Sequence, residues 1–496
     1  MAERPNILLI FSDQHTQRIT GCYGDPVVRT PNLDRLAARG VVFDNAYTPS
    51  PLCVPARMSF LSGRHPCRQN CWTNSDPLAS DIPTTAHALG AAGYRPILVG
   101  RLHAIGPDQL HGYVRREVGD HSTNWVGGVP HSLGPLAKTN DPFRESIERS
   151  GPGQSSYQLH DRDVTAAALE VLDELAAARR SGEAEPFALT VGYLLPHQPY
   201  VARPDLFAYY ADKVGLPETP LDSLGEEHPV HAAWRRHSGI EDVPEADCLR
   251  ARAAYYALVE EFDEMVGQLL DRLAALGLDQ NTLVIYVSDH GDQIGERGLW
   301  WKQTFYEESV KVPMILSWPG VLPEGERRAQ LVNLVDLAQT MVEVAGAPAL
   351  PAADGRSFLG VARDPGRPWI DETFSEYCTD GMSAWTGTEP VRQRMIRSGR
   401  WKLCYYDGAR PQLFDLEADP RETRDLARDP AYADVRDALQ TRLLADWDPE
   451  EITRAMAERR RDKELLRDWS RAVQPPDTHR WRVRSEDNWL AEAADT

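Results

Sequence analysis

Cys53 lies two residues before Pro55 and four before Arg57, inside Ser50-Pro51-Leu52-Cys53-Val54-Pro55-Ala56-Arg57-Met58-Ser59-Phe60-Leu61-Ser62-Gly63-Arg64. On its own such a cysteine is either a reactive group or a small buried hydrophobe. Other residues of chemical interest follow apolar runs elsewhere. Asp13, Asp289 and His290 are hard or borderline metal ligands, and carboxylates favour Ca, Mg or Mn. Taken singly, Asp289 fits a helix cap or a turn equally well. Arg57 offers a planar fork that suits anionic oxygens. Lys302, in Gly298-Leu299-Trp300-Trp301-Lys302, follows the Asp289 loop closely enough to fold back over it. The ordinary fate of Lys and Arg is a solvated surface. His197 sits in Leu195-Pro196-His197-Gln198-Pro199-Tyr200, where two prolines stiffen the loop. With His103 it is a candidate acid or base, although a lone histidine is more often structural.

Cys-x-Pro-x-Arg followed by Ser62-Gly63-Arg64 resembles the signature of the type I sulfatases, in the alkaline phosphatase superfamily. In that family the cysteine is oxidised after synthesis to formylglycine. Many sulfatases carry a second Asp after the first and an Asn after the late Asp; here Gln14 and His290 stand at those places. This pattern is similar to the choline sulfatase, phosphonate monoester hydrolase and promiscuous arylsulfatase branch. Gly106-Pro107-Asp108-Gln109-Leu110-His111-Gly112-Tyr113 and Asp289 to Trp300 match choline sulfatases locally. The resemblance implies one divalent cation, Ca or Mn and less readily Mg, bound by Asp13, Cys53, Asp289 and His290. It implies Arg57, Lys302 and Arg101 as cations for the sulfuryl oxygens, with Arg101 standing where sulfatases usually have lysine. His103 and His197 become acid and base, and Gln14 and Asn74 orient substrate oxygens. It also implies a mechanism. One hydroxyl of the hydrated aldehyde attacks sulfur in line, and the alcohol leaves with help from His197 and Lys302. The other hydroxyl, steered by His103, then expels sulfate. A formylglycine-generating enzyme is the expected maturation partner, and a small anionic ester the expected substrate. A phosphonate monoester or phosphodiester hydrolase with the same nucleophile is the alternative. A non-catalytic binding protein on this scaffold is a third reading, opposed by the intact set of site residues.

These residues need a scaffold that gathers distant loops. Pro5 to Asp13, Val41 to Phe43, Phe187 to Leu195, Thr282 to Val287 and Val312 to Trp318 are strand-like. Thr30 to Gly40, Asp163 to Arg180 and Arg250 to Leu276 have helical period or capping. Strands alternating with helices predict an α/β fold: a large, mostly parallel sheet sandwiched by helices, alkaline phosphatase-like in the terms of the resemblance. In such sheets ligands sit beyond the carboxyl ends of the strands, where Asp13 and Asp289 fall. Residues 115–160 are expected to be a long loop region over the site. The sequence divides into a catalytic domain (1–370), a small antiparallel sheet with a helix (371–440) and a helical tail (441–496).

With 496 residues and a formal net charge of −20, nucleic acid and anionic membranes are excluded as partners. No apolar run reaches spanning length, the N-terminal run is too short for a secretion signal, and seven scattered cysteines make no disulfide framework. A cytoplasmic protein is expected. Trp469, Trp481 and Trp489 recur in the polar tail and suggest a homo-oligomer. The tail stops short of the extension that helps build the quaternary-ammonium pocket of choline sulfatases, so the resemblance does not name choline sulfate.

Overall fold

The computed structural model describes residues 4–182, 185–380 and 390–491. Its large sheet contains β1 (Asn6–Asp13), β2 (Val41–Tyr47), β3 (Arg95–Gly100), β4 (Arg115–Glu117), β5 (Phe187–Pro196), β6 (Thr282–Ser288), β7 (Met314–Ser317) and β8 (Glu326–Asn333). The strands lie in the order β8-β2-β7-β6-β1-β5-β3-β4. β7 runs antiparallel to both neighbours. The remaining pairs are parallel. All eight residues of β1 are buried. Leu8 and Ile10 enter one core while Ile7, Leu9 and Phe11 enter the other, as the two-residue period of a strand requires. Helices α3 (Ser156–Ser181) and α4 (Glu245–Ala275) cover the first face, and α2 (Cys53–Ser62) and α5 (Leu334–Ala345) the second. α1 (Pro31–Ala38) packs beside α4.

Two elements differ from the sequence reading. The stretch from Cys53, for which the sequence reading assigns no element, is the helix α2. Pro55 sits in its first turn, where a missing N–H costs nothing. Helix α3 starts at Ser156 rather than Asp163, because Ser155 and Gln158 form a capping box. Residues 115–160 accordingly contain β4, the strand Gly151–Gln154 and the start of α3 as well as loop.

Beyond residue 370, β9 (Glu372–Thr379), β10 (Val391–Ser398), β11 (Trp401–Tyr406) and β12 (Gln412–Asp415) form an antiparallel sheet in chain order. Leu443 of α6 (Ala433–Leu444) packs on Ile396, Leu403 and Leu413. Helix α7 (Pro449–Val473) follows, and residues 477–491 then return across the catalytic domain, with Trp489 paired to Gln154. The tail tryptophans that suggested a homo-oligomer have partners within the chain. Trp469 stacks edge-on against Trp125, and Trp481 Nε1 donates to Asp163. Trp489 stays 40% exposed, and residues 492–496 lie outside the described set. Among the described residues all seven cysteines are free, and no helix is long and apolar enough to cross a membrane.

Candidate active site

Parallel strands deliver their last residues to one edge, so the site assembles there. Asp13 ends β1, Arg101 and His103 follow β3, His197 follows β5, and Asp289 and His290 follow β6. Cys53 is the first residue of α2, reached from β2 through a short buried link. Gln14 and His103 both adopt left-handed backbone, uncommon for residues with a Cβ, and this turns each side chain inward from its strand.

Donor atoms of Asp13, Cys53, Asp289 and His290 all lie within 4.8 Å of one another, and all four residues are buried. The set fits a cation. His290 Nδ1 donates to the Gly291 carbonyl at 3.0 Å, which leaves the Nε2 lone pair facing the cluster, 3.2 Å from Cys53 Sγ. Asp289 Oδ1 accepts from the backbone N–H groups of Gln14 and His290. Asp13 Oδ2 accepts from Arg57 and Arg101, while its Oδ1 faces the Cys53 thiol at 3.7 Å and His290 Nε2 at 3.9 Å. Burial raises the Asp13 carboxyl, but the charges of Arg101, Arg57 and Lys302 outweigh it and hold the group well below the carboxylate range. Burial, reinforced by the Asp13 charge, pushes the Cys53 thiol up to about 11. An unmodified Cys53 is therefore a protonated thiol at neutral pH and a poor nucleophile.

The cations are spent on specific partners. Arg57 Nε donates to Asp289 Oδ2 at 2.9 Å, and its NH2 reaches Asp13 and the Ser12 carbonyl. Its guanidinium thus holds the two carboxylates, a different part from the direct sulfuryl contact expected of it. Arg101 is 3% exposed. It pairs with Asp13 through Nε, with Asp120 through NH1 at 3.0 Å, and with His103 Nδ1 through NH2 at 2.8 Å. A guanidinium only donates, so His103 Nδ1 accepts and the neutral ring carries its proton on Nε2. Lys302 Nζ donates to Gln14 Oε1 at 2.6 Å, Cys53 Sγ at 3.1 Å and His197 Nε2 at 3.0 Å. His197 Nδ1 donates to the Gln198 carbonyl, which fixes the opposite tautomer. Burial first, then Arg101 beside His103 and Lys302 beside His197, keeps both rings neutral.

Gln14 is a bridge: its Nε2 reaches Gln198 Oε1 and Asp292 Oδ2, each at 2.6 Å, while its Oε1 accepts from Lys302. Asn74 Oδ1 accepts from Val54 N–H at 3.0 Å, so it serves the first turn of α2. The structure thus brings the candidate residues into one cluster with Asn74 at its edge. Sequence reasoning missed Asp120 and Asp292. Asp120 Oδ2 accepts from the backbone N–H groups of Leu102 and His103. Asp292 Oδ2 accepts from Tyr200 and Gln14. Asp292 stands in the run Asp289-His290-Gly291-Asp292, beside two metal candidates, whereas nothing around Asp120 marks it.

A sulfatase family profile matches residues 5–347, and a second, described as N-sulphoglucosamine sulphohydrolase, C-terminal, matches residues 295–448. A choline-sulfatase of Rhizobium meliloti (strain 1021) is 34% identical over 475 residues, covering 92% of this chain and 89% of its own. Arylsulfatase K of Rattus norvegicus is 28% identical over 500 residues, covering 95% and 83%. The phosphonate monoester hydrolase of Silicibacter pomeroyi superposes with a TM-score of 0.71 at 24% identity, covering 88% of this chain and 94% of its own, which speaks for the fold. The first profile runs from ahead of Asp13 to beyond Lys302 and so takes in the whole cluster: the chain belongs to the sulfatase family of the alkaline phosphatase superfamily and is a sulfuric ester hydrolase.

Proposed function

We propose that this chain hydrolyses small organic sulfate esters, using formylglycine made from Cys53 and one divalent cation held by Asp13, Asp289, His290 and residue 53. One observation carries the reading. Cys53 Sγ lies 3.7 Å from Asp13, 3.2 Å from His290 and 3.1 Å from Lys302, so one side chain faces a cation's donors and a proton donor together. Two carboxylates favour a hard cation, and the imidazole tilts the choice toward Mn over Ca or Mg. When present, the cation supplies Lewis acidity and the hydrated aldehyde supplies a nucleophile with a second hydroxyl for releasing sulfate.

The chain's own residues do the rest. Arg57 and Arg101 pin Asp13, so its carboxylate needs no reorganisation when charge develops. Lys302 holds a proton between residue 53 and His197, in position to meet a leaving oxygen. His197 presents a lone pair to that lysine, and His103 holds a proton on Nε2. Cys53, Lys302, His103 and His197 are all under 10% exposed, which excludes water around the developing charge. The choline-sulfatase and arylsulfatase K relatives support a small organic sulfate as the substrate class. The test is a panel of an alkyl sulfate, an aryl sulfate, a phosphodiester and a phosphonate monoester. It is run on protein whose Cys53 conversion has been verified by peptide mass. The highest kcat/KM on a sulfate is expected; a phosphonate or phosphodiester in that place would overturn the assignment.

A further inference from the structure

Arg101 and His103 are held by Asp120, and Asp120 belongs to the turn that follows β4. That turn is covered by the chain's own C-terminal strap. Asp120 and Arg480 form a parallel bridge, and Trp481 N–H donates to the Asp120 carbonyl at 2.8 Å. Asp477 Oδ1 accepts from Asn124 N–H at 2.9 Å and from Thr123 Oγ1. Thr478 N–H donates to Asn124 Oδ1 at 2.7 Å. The fit is close enough to dictate a residue. A Cβ at Gly119 would stand 1.1 Å from the His479 carbonyl oxygen. Gly119 does not have positive φ. Its missing side chain thus answers the strap, not the local backbone.

We propose that residues 477–490 are a positioning element for the catalytic centre. Seated on Gly119 to Asn124, they fix Asp120. Its carboxylate in turn fixes the Arg101 guanidinium and the backbone of Leu102 and His103. Further along, Asn488 Oδ1 accepts from Ser156 N–H at the start of α3, next to Tyr157. The Tyr157 hydroxyl bonds His121 at 2.8 Å, and its ring lies 5.8 Å from His197. One strap therefore steadies both sides of the histidine pair. Its turnover arm rests on the sulfatase reading above; its exchange arm does not.

The experiment compares the full chain, Gly119→Ala, a chain ended after Pro475, and that shorter chain with Gly119→Ala. kcat on a sulfate ester and amide exchange at residues 101–104 and 119–124 are measured. Gly119→Ala is expected to lower kcat about 10- to 100-fold, the scale of removing one charge-assisted hydrogen bond, and to quicken exchange in both segments. Truncation should do the same. In the shorter chain Gly119→Ala should add less than about twofold, because no His479 remains to clash. Adding the peptide 476–491 should restore kcat to the truncated chain, which a general loss of stability would not allow. If truncation prevents folding, Asp477→Ala with Arg480→Ala in the full chain takes its place as the loosened strap: kcat should fall and exchange at 101–104 and 119–124 should quicken, and parental values would overturn the proposal. Parental kcat and exchange in Gly119→Ala would overturn the proposal, as would equal effects of Gly119→Ala with and without the strap. If the parent turns over no sulfate ester, the sulfatase reading fails while the exchange arm still decides this one.

Discussion

Arg101 joins three site residues, so its replacement separates charge from geometry. In Arg101→Ala, Asp13 and Asp120 each lose a buried cation. Asp13 keeps Arg57 NH2 at 3.3 Å, and Asp120 keeps Arg116 NH2 at 3.6 Å. Removing one partner of a buried pair costs about 3–5 kcal/mol. The surviving partners place this variant toward the lower figure, about 3 kcal/mol. Arg101→Lys keeps a charge for Asp13, but a single ammonium does not also span to Asp120 and His103. The bond then missing at His103 Nδ1 has a charged donor, worth about 1.5–3 kcal/mol. If that bond serves the transition state, kcat falls roughly 10- to 150-fold in Arg101→Lys. Steady-state kinetics on one sulfate ester measure the second effect, and denaturant unfolding measures the first. A parental kcat in Arg101→Lys would show the His103 contact idle. An unchanged unfolding midpoint in Arg101→Ala would refute the ion-pair argument itself.

Cys53→Ala should abolish turnover and leave the melting temperature within a few degrees, since only a sulfur atom is removed; parental sulfatase activity in that variant would sink the nucleophile assignment. A chelator should remove activity and Mn or Ca should restore it, with activity in metal-free protein as the contrary result. Asn74→Ala should cost about 1 kcal/mol of stability by removing the acceptor for Val54 N–H, and Asn74→Asp should recover it. Failure of that rescue would move Asn74 to a role on the substrate. Burial pulls His228 down from 6.5 to about 4, against the opposing hydrogen bond to the Arg410 carbonyl. As pH falls below 6.5 the unfolded chain takes up the proton first, so stability should decline progressively toward pH 4. Melting curves of His228→Gln should show a shallower decline, and an identical slope would count against the assignment.

The runs Asn6–Asp13 and Thr282–Ser288 were legible because each is apolar along its length and gives way to acids where the chain leaves the core. Helix α2 was not, for a related reason. All ten of its residues are buried, so it has no polar face to set a helical period. Strands β3 and β8 and helix α5 also went unread. The metal donors could be named from residue type and place, but the duties of the cations could not. Arg57 and Arg101 bind carboxylates rather than standing free, and Gln14 exhausts its amide between Lys302, Gln198 and Asp292. Each outcome depends on which loop arrives opposite, which no local pattern encodes. Asp120 is the extreme case, because its turn is completed by residues at the far end of the chain.

Cys53 is 1% exposed, opens a helix that is buried on every side, and has its sulfur boxed in by Lys302, His290 and Asp13. If a separate enzyme converts Cys53, as the proposed function requires, the folded chain offers it no access to the sulfur. On the proposed formylglycine reading, conversion and folding would therefore compete for the same cysteine. On that reading a chain that folds first should keep its thiol, and later exposure to a maturation enzyme should not convert it. The active fraction of a preparation should then record that competition at synthesis: slowing the folding of α2 against β2 should raise it, and refolding in the presence of a converting enzyme should reset it.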